Sequence, residues 1–249
     1  MNSQDPRTLQ LAERLTAVKA RISAARTDAE TPTLIVVTKF HPAADVLRLR
    51  SLGVVDVGEN RDQEAAAKAS EVAAAGAEQL RWHFIGQLQK NKAKSVAAYA
   101  HSVQSIDRAS LVTALGNAMA RELDSTGRAP LECFIQVDLS EAYADLAEAT
   151  TSSSGRGGAA PSSITELADQ IAGTQGLRLA GLMAVAPLGV TPEPAFELLA
   201  TASAQLVAAH PQATGISAGM SHDLEAAIAV GATHLRVGSD ILGPRPEVL

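Results

Sequence analysis

The chain has 249 residues, a formal net charge of −6 at pH 7, an aromatic content of 3% and a single cysteine. This length is typical of one domain with a large buried core. The negative charge and scarce aromatic residues offer neither the basic surface nor the stacking platform of nucleic-acid binding, so no nucleic-acid partner is expected. The lone Cys133 excludes an internal disulfide and a cysteine-built metal cluster. Because it lies in an apolar run, we expect a buried small side chain rather than a nucleophile.

Membrane insertion and export are not expected either. No uninterrupted apolar run is long enough to span a bilayer. The first residues, MNSQDPRTLQLAERL, carry charges where a signal peptide would need an apolar stretch. We therefore expect a cytoplasmic protein.

Short aliphatic runs alternate with alanine-rich, charged segments along the chain. The first segment, residues 8–24, is amphipathic and precedes the first run. We predict eight buried strands: LIVVT (34–38), VVDVG (54–58), WHFIG (82–86), SVQSI (102–106), ECFIQVDL (132–139), LRLAGLMAVA (177–186), ATGISA (213–218) and THLRVGS (233–239). Several intervening segments end in glycine, as helices often do.

Eight strands alternating with helices predict an α/β fold, a closed (β/α)8 barrel forming one domain over residues 1–249. After the eighth strand only DILGPRPEVL (240–249) remains, which is too short for a full outer helix. We predict that the amphipathic segment 8–24 fills that gap. In barrels of this kind the functional site lies at the carboxyl ends of the strands.

Residues 147–163, AEATTSSSGRGGAAPSS, interrupt the alternation after the fifth strand. A small, polar, glycine-rich segment cannot bury enough apolar surface to order itself, so we predict a flexible loop within the domain rather than a linker. The loop follows a strand's carboxyl end and should lie over the same mouth as the site. It is either a lid or a disordered segment without a role.

The first predicted strand leads into Lys39, just before a turn at Pro42. A lysine at a strand end near an apolar interior loses hydration, which lowers its pKa. The neutral amine that this favours attacks carbonyl groups to form Schiff bases. An ordinary strand-end lysine instead extends its ammonium group into solvent. Position alone leaves both interpretations open.

The ends of the last two strands predict an anion site. Ser221 stands where a helix would begin, with Asp223 and Glu225 in its first turn, and Gly238 and Ser239 follow the eighth strand. Free N–H groups at such turns bind anions, and the loops after strands seven and eight are the usual phosphate site of this fold. Each residue alone is better explained as a cap or a turn, but together they favour phosphate.

Arg236 alternates in step with His234 and Gly238, so the three residues share one face of the eighth strand. An inward guanidinium needs an acceptor such as a phosphate, a carboxylate or an unprotonated ring nitrogen, whereas an outward one would be solvated. A nucleophilic amine, a phosphate site and a charged donor between them match the needs of pyridoxal phosphate (PLP), whose aldehyde, phosphate and pyridine nitrogen must be held together.

Five ordered motifs carry a resemblance to a known family. They are VTKFHP (37–42), GEN (58–60) with QE (63–64), WHFIGQLQKNK (82–92), GLMAVAP (181–187) and SAGMSHDLEAAIAVGATHLRVGSDILG (217–243). Over residues 8–245 the chain resembles the pyridoxal phosphate homeostasis proteins, known also as proline synthetase co-transcribed homologues. Their fold is similar to the barrel domain of bacterial alanine racemase.

The resemblance implies a set of cofactor-binding residues. Lys39 would hold PLP as a Schiff base, and Arg236 would face the pyridine nitrogen. The phosphate would be held by Ser221, the Met220 backbone, Gly238 and Ser239, and the pocket would also be lined by Asn60 and His83. For His83, a hydrogen-bonded core histidine is an equally good explanation. The resemblance also implies a monomeric or weakly associated protein.

Three positions depart from the family pattern. Ser239 stands where threonine is usual, which keeps the hydroxyl. Arg156 stands in a loop that commonly carries a lysine, so the titratable amine is lost and a role of this loop in cofactor exchange is in doubt. Arg61 stands where an aromatic residue is common, and this would alter the rim of the pocket rather than the Schiff base.

These features predict a protein of intracellular PLP homeostasis that stores, buffers or delivers the cofactor without robust turnover. An arginine opposite the ring nitrogen leaves it unprotonated and a poor electron sink, and we expect no second domain that would supply an opposing acid or base. Apo PLP-dependent enzymes are candidate recipients. The alternatives are a racemase-like or decarboxylase-like enzyme of weak activity, a barrel with a structural lysine, and a Schiff-base aldolase. The aldolase is disfavoured because the sixth run lacks a lysine.

Overall fold

Eight parallel strands close into a barrel in sequence order, and the last strand pairs with the first. The computed structural model describes residues 5–26, 30–77, 79–140, 157–187 and 191–245. The strands are Thr33–Val37 (β1), Asp56–Glu59 (β2), Arg81–Phe84 (β3), Ser102–Ile106 (β4), Leu131–Gln136 (β5), Leu177–Met183 (β6), Gly215–Ser217 (β7) and His234–Val237 (β8). Each overlaps a predicted strand, so the predicted (β/α)8 barrel is confirmed.

Helices separate the strands and surround the barrel. They are Pro6–Ala25 (α1), Ala43–Ser51 (α2), Asp62–Ala74 (α3), Ala93–Tyr99 (α4), Ala109–Thr126 (α5), Ile164–Ala172 (α6), Glu193–Ala209 (α7), Leu224–Ala229 (α8) and Ser239–Leu242 (α9). Two 3-10 turns, Lys90–Lys92 and Pro161–Ser163, lead into α4 and α6. The core of the protein lies between this ring of helices and the barrel.

The amino-terminal helix α1 completes the ring. It is capped by the Asp5 side chain, which accepts hydrogen bonds from the backbone N–H groups of Arg7 and Thr8. Its buried apolar residues form one stripe: Leu11, Leu15, Val18 and Ile22. The helix packs against α2, α8 and α9. It therefore occupies the place that the four-residue α9 leaves, as the sequence predicts.

The interior of the barrel is polar as well as apolar. Buried polar side chains from β3, β4, β7 and β8 include His83, Ser102, Gln104, Ser217 and Arg236. In a low-dielectric interior each of these groups needs a hydrogen-bond partner. They supply most of these partners to one another, in contacts described below.

The predicted flexible loop, residues 147–163, lies partly outside the described residues, which resume at Gly157. Arg156 is outside them as well. From Gly157 onward the chain packs along the end of β5: Ala159 N–H donates to Gln136 O at 2.7 Å, and Asp138 N–H donates to Ala159 O at 2.9 Å. Composition gave no sign of these backbone hydrogen bonds. The flexibility of the loop stays a prediction.

Cys133 lies in β5 and is fully buried, which confirms the expected environment. Burial raises the pKa of its thiol, so the group stays neutral and unreactive. No helix among the described residues is both long and apolar enough to cross a membrane. Within the same residues, no group of three or more His, Cys, Asp and Glu side chains is arranged to hold a metal ion.

Candidate cofactor site

The predicted lysine, Lys39, lies at the mouth of the barrel, two residues beyond the end of β1. Its side chain is half-buried. Burial lowers the pKa of the amine and Arg245 lowers it further, whereas Glu59 acts in the opposite direction. Lys39 forms no hydrogen bond or ion pair with any other described residue. It is therefore an amine without a partner among the described residues, and burial makes its neutral form more accessible than that of a solvated lysine.

A buried ion cluster lies beside Lys39, between β2 and α3. Lys68 Nζ lies 2.7 Å from Glu59 Oε1 and 2.6 Å from Glu64 Oε1. Lys68 and Glu59 are 7% and 1% exposed, so this pair is almost completely removed from water. Burial raises the pKa of Glu59 even though Lys68 opposes the shift. The sequence motifs at residues 58–60 and 63–64 contain Glu59 and Glu64. They do not contain Lys68, which pairs with both glutamates.

The neighbouring part of the mouth, beyond β7 and β8, carries two converging hydroxyl groups. Ser221, after β7, and Ser239, at the start of α9, have their Oγ atoms 3.2 Å apart. The N–H groups of Ser239 and Asp240 open α9 and so have no acceptor within that helix. The Met220 N–H donates to Asp223 Oδ1 at 2.5 Å, so an anion bound there would compete with this carboxylate.

Two glycines bring these loops into position. Gly219 has φ +89°, a left-handed conformation that residues with a Cβ seldom adopt. Gly238 lies directly against β1, where an added Cβ would be 3.2 Å from Val37 O. The predicted phosphate turn thus touches the strand that leads to Lys39. The two halves of the predicted site are adjacent.

Arg21, a residue of α1 that the sequence analysis did not select, ties the two predicted phosphate loops together. Its guanidinium pairs with Glu225 at 2.8 Å and with Asp240 at 2.7 Å, and it donates to Ser221 O at 3.0 Å. One side chain thus holds α8, α9 and the loop after β7. No local signal in the sequence could have found it, because its partners are about 200 residues away.

Arg236 points into the barrel and is 4% exposed. It donates to Ser217 Oγ at 2.6 Å and to Ala184 O at 2.7 Å. Burial lowers the pKa of Arg236 to about 10, so the group remains protonated at neutral pH. The alternative of a solvated arginine on the outer face is therefore wrong.

His83 lies deeper in the barrel and is 2% exposed. Its Nε2 lies 2.8 Å from Asp56 Oδ1, and its Nδ1 lies 2.7 Å from Ser102 Oγ and 3.3 Å from Gln104 Nε2. A neutral ring protonated on Nε2 satisfies all three contacts, and burial lowers the pKa of His83 accordingly. Gln104 Oε1 also accepts from Ser217 Oγ at 2.8 Å. This is the geometry of a hydrogen-bonded core histidine, and contact of His83 with a cofactor stays a prediction.

Asn60 follows β2 directly. Its Oδ1 is buried and has no hydrogen-bond partner among the described residues. Its backbone packs against Gly86 so closely that a Cβ there would lie 2.2 Å from Asn60 O. Only glycine fits at position 86, which explains one residue of the 82–92 motif.

PLP fits this end of the barrel. The free Lys39 amine suits an aldehyde, and the hydroxyls of Ser221 and Ser239 suit a phosphate. The buried oxygen of Asn60 lacks a partner that a ligand would supply. The arrangement can therefore hold an anionic aldehyde through one covalent bond and several hydrogen bonds.

The closed barrel with a lysine after β1 defines the class to which this chain belongs, and the family model described as "Alanine racemase, N-terminal domain" matches residues 14–246. The pyridoxal phosphate homeostasis protein of Corynebacterium glutamicum is 42% identical over 235 residues, covering 92% of this chain and 99% of that protein. The one of Mycobacterium leprae is 37% identical over 252 residues, covering 97% and 95%. The chain belongs to the family of pyridoxal phosphate homeostasis proteins.

Solved structures agree with this assignment. PipY of Synechococcus elongatus PCC7942, solved with PLP bound, is 31% identical with a TM-score of 0.76, covering 94% of this chain and all of that one. The structure of PipY without PLP has a TM-score of 0.78. Alanine racemase of Corynebacterium glutamicum, at 13% identity and a TM-score of 0.66, shares the fold; the match covers 62% of its length.

Proposed function

We propose that this protein binds PLP at the carboxyl end of its barrel and takes part in intracellular PLP homeostasis, by storing, buffering or delivering the cofactor. The observation that carries the proposal is the half-buried amine of Lys39, which has no partner among the described residues, at the same end of the barrel as the paired hydroxyls of Ser221 and Ser239. PLP bound in the structure of PipY, a relative over nearly the whole chain, supports it.

Lys39 is the proposed attachment point. Its neutral amine adds to the aldehyde carbon, and water leaves as the C=N bond forms. Burial of the amine favours this neutral form at lower pH than for a solvated lysine. Asn60, with its buried oxygen lacking a partner, is placed to hydrogen-bond a polar substituent of the ring.

The phosphate is assigned to the loops after β7 and β8. The hydroxyls of Ser221 and Ser239 donate to it, together with backbone N–H groups of Gly238 and Ser239; the Met220 N–H would join them by exchanging its bond to Asp223 Oδ1 for one to the phosphate. These donors are held by Arg21 from outside the site. An anion bound through backbone N–H groups and hydroxyls remains exchangeable, which suits a protein that releases its cofactor.

Arg236 accounts for the proposed lack of robust catalysis. When bound, PLP can act as an electron sink for amino-acid chemistry, provided that its ring nitrogen is protonated. Arg236 can only donate hydrogen bonds and remains charged at neutral pH, so opposite that nitrogen it keeps the nitrogen unprotonated. The shared fold with alanine racemase favours one alternative, a weak racemase-like activity. Measurement of α-proton exchange of amino acids in D2O separates the two.

The remaining parts of the proposal concern partners and location. We infer a cytoplasmic monomer that exchanges PLP with apo PLP-dependent enzymes, and that uses neither a nucleic acid nor a membrane. The net charge of −6 supports the part of the proposal that concerns nucleic acid. Sedimentation of the PLP-loaded protein tests the monomer.

The decisive experiment is a titration with PLP followed by visible absorption, then by borohydride reduction and peptide mass mapping. The wild type should give an imine band and a reduced phosphopyridoxyl adduct at Lys39. Lys39→Ala should lose both, with an unchanged circular dichroism spectrum. Lys90→Ala, an exposed lysine at the same end of the barrel, is the matched control and should behave as wild type. A wild-type adduct at another lysine would refute the assignment.

A further inference from the structure

We propose that the ion cluster of the buried Glu59 and Lys68 with the partly exposed Glu64 positions Lys39, by holding the backbone on both sides of it so that the amine is presented to the barrel mouth. The inference rests on the proposed function, because it assigns a role to residues next to the proposed PLP attachment point. None of the three residues of the cluster carries the amine that is proposed to react with PLP.

The cluster holds the residue before Lys39 through two hydrogen bonds. Lys68 Nζ donates to Thr38 O at 2.9 Å, and Thr38 Oγ1 donates to Glu59 Oε1 at 2.7 Å. Thr38 is completely buried and its N–H also donates to Gly58 O at 2.9 Å. The backbone that enters Lys39 is therefore tied to β2 and to α3 at once.

The same cluster holds the residue after Lys39. Glu64 Oε1 accepts a hydrogen bond from the Phe40 N–H at 2.6 Å. Phe40 has φ +69° and is the one non-glycine residue with positive φ in the described part of the chain. A bulky residue adopts this left-handed conformation only where its surroundings impose it, and such strain is concentrated at functional sites. The Glu64 carboxylate holds its backbone N–H, and the guanidinium groups of Arg245 and Arg61 lie over its ring.

Lys68 and Lys39 thus have separate roles. Lys68 has three N–H donors, and all three are used, for Thr38 O, Glu59 and Glu64. Its ammonium group must stay charged to keep these contacts, which makes it unsuitable as a nucleophile. The amine of Lys39 has no such partners among the described residues and remains available to an aldehyde.

The orientation of Lys39 matters because formation of a covalent bond depends on the angle of approach. Both neighbours of Lys39 are held, so the direction of its Cα–Cβ bond is set by the turn rather than by the lysine itself. Release of the Phe40 N–H would let this turn relax to ordinary backbone angles. The amine would then swing toward solvent, and its pKa would rise toward the ordinary value.

The test compares Glu64→Ala, which removes the acceptor for Phe40 N–H, with Glu64→Gln, which keeps an oxygen in the same place. Glu71→Ala, an exposed glutamate on the same helix, is the matched control. Two properties are measured: the apparent affinity for PLP from the imine band, and the pH dependence of competitive acetylation of Lys39 in the protein without PLP. A thermal melt records the stability of each variant.

We expect Glu64→Ala to weaken apparent PLP affinity about tenfold and to shift the acetylation profile of Lys39 to higher pH. Glu64→Gln should remain within about threefold of wild type in affinity, and Glu71→Ala should match wild type in both measurements. Recovery by the glutamine variant separates positioning from a general loss of stability.

Two results would overturn the inference. In the first, Glu64→Ala gives the same PLP affinity and acetylation profile as Glu71→Ala. In the second, Glu64→Gln is as impaired as Glu64→Ala. A wild-type protein that forms no adduct at Lys39 would refute the proposed function instead. The acetylation profiles, which need no PLP, would then decide the positioning role on their own.

Discussion

The two sides of the barrel mouth differ in the kinds of residue that form them. Beside β1 and β2, long charged side chains are hydrogen-bonded to one another, and the amine of Lys39 has no such partner among the described residues. Beside β7 and β8 the site consists of glycines, serines and backbone N–H groups, and the charged residue that supports it, Arg21, stays outside. A lysine that forms a covalent bond must point in one fixed direction, and a rigid cluster of hydrogen-bonded side chains beside it fixes that direction. An anion needs several free donors, which short loops provide.

The strongest test of this contrast removes the cation of the rigid side. Lys68→Met leaves the buried Glu59 and the partly exposed Glu64 without their positive partner, and loss of one member of a buried ion pair costs about 3–5 kcal/mol of unfolding free energy. Urea unfolding measures it as a lower midpoint with an unchanged slope. Lys94→Met, at an exposed position of α4, should change stability by less than about 0.5 kcal/mol. Equal effects of the two variants would show that the cluster adds no stability.

The β7–β8 side should respond in the opposite manner, with a large loss of binding and a small loss of stability. The double variant Ser221→Ala and Ser239→Ala removes two hydroxyls that we assign to the phosphate. At about 1.5 kcal/mol for each hydrogen bond to a charged group, PLP affinity should fall roughly 100-fold. Equilibrium titration measures it, and inorganic phosphate should compete less well with the cofactor.

Ser51→Ala, which removes an exposed hydroxyl at the end of α2, is the matched control for this double variant and should bind PLP as wild type does. If the double variant bound PLP normally, the phosphate would have to be held elsewhere. The β7–β8 side of the mouth would then not be the phosphate site, and the proposed difference between the two sides would not hold.

The next prediction concerns the pH dependence of stability, to which His234 at the start of β8 should contribute. Burial lowers the pKa of His234 from 6.5 to about 4, and the nearby His83 adds to the shift. The unfolded chain therefore binds a proton in this range that the folded chain does not, so stability falls as the pH decreases from about 6.5 to about 4. The loss should be roughly 2 kcal/mol, after allowance for partial exposure.

Urea unfolding at a series of pH values checks this, and His234→Gln should flatten the acid branch of the stability curve. His222→Gln, at an exposed position after β7, should leave that branch unchanged. An acid branch of the same slope in the wild type and in His234→Gln would place the titrating group elsewhere.

Much of this architecture follows from local patterns in the sequence. Strand periodicity placed all eight strands, and because parallel strands end at one edge, it also placed Lys39 at the same end of the barrel as Ser221 and Ser239. Topology alone brings these ends together, since the closure of β8 onto β1 sets Gly238 against Val37. A residue that acts through its position at a strand end is therefore predictable.

Residues that act through packing between distant segments were not predictable. The direction of Arg236 depends on acceptors from β7 and from the segment after β6, and periodicity could not choose between inside and outside. Glu64 and Lys68 stand four residues apart, a spacing that favours an ion pair on one helix face. Nothing local showed that Glu59 would join them, or that together they would hold both neighbours of Lys39.

The smallest expected effect concerns Ser239, where threonine is usual in the family. Ser239→Thr keeps the hydroxyl and adds a methyl group at an exposed position, so PLP affinity should stay within about twofold of wild type. Ser239→Ala should weaken binding about tenfold in the same titration. A change in the threonine variant as large as in the alanine variant would mean that the hydroxyl is not the contact. The phosphate would then be bound by the backbone N–H groups at the start of α9. Side chains would form the site beside β1 and β2, and backbone groups alone would form it beside β8.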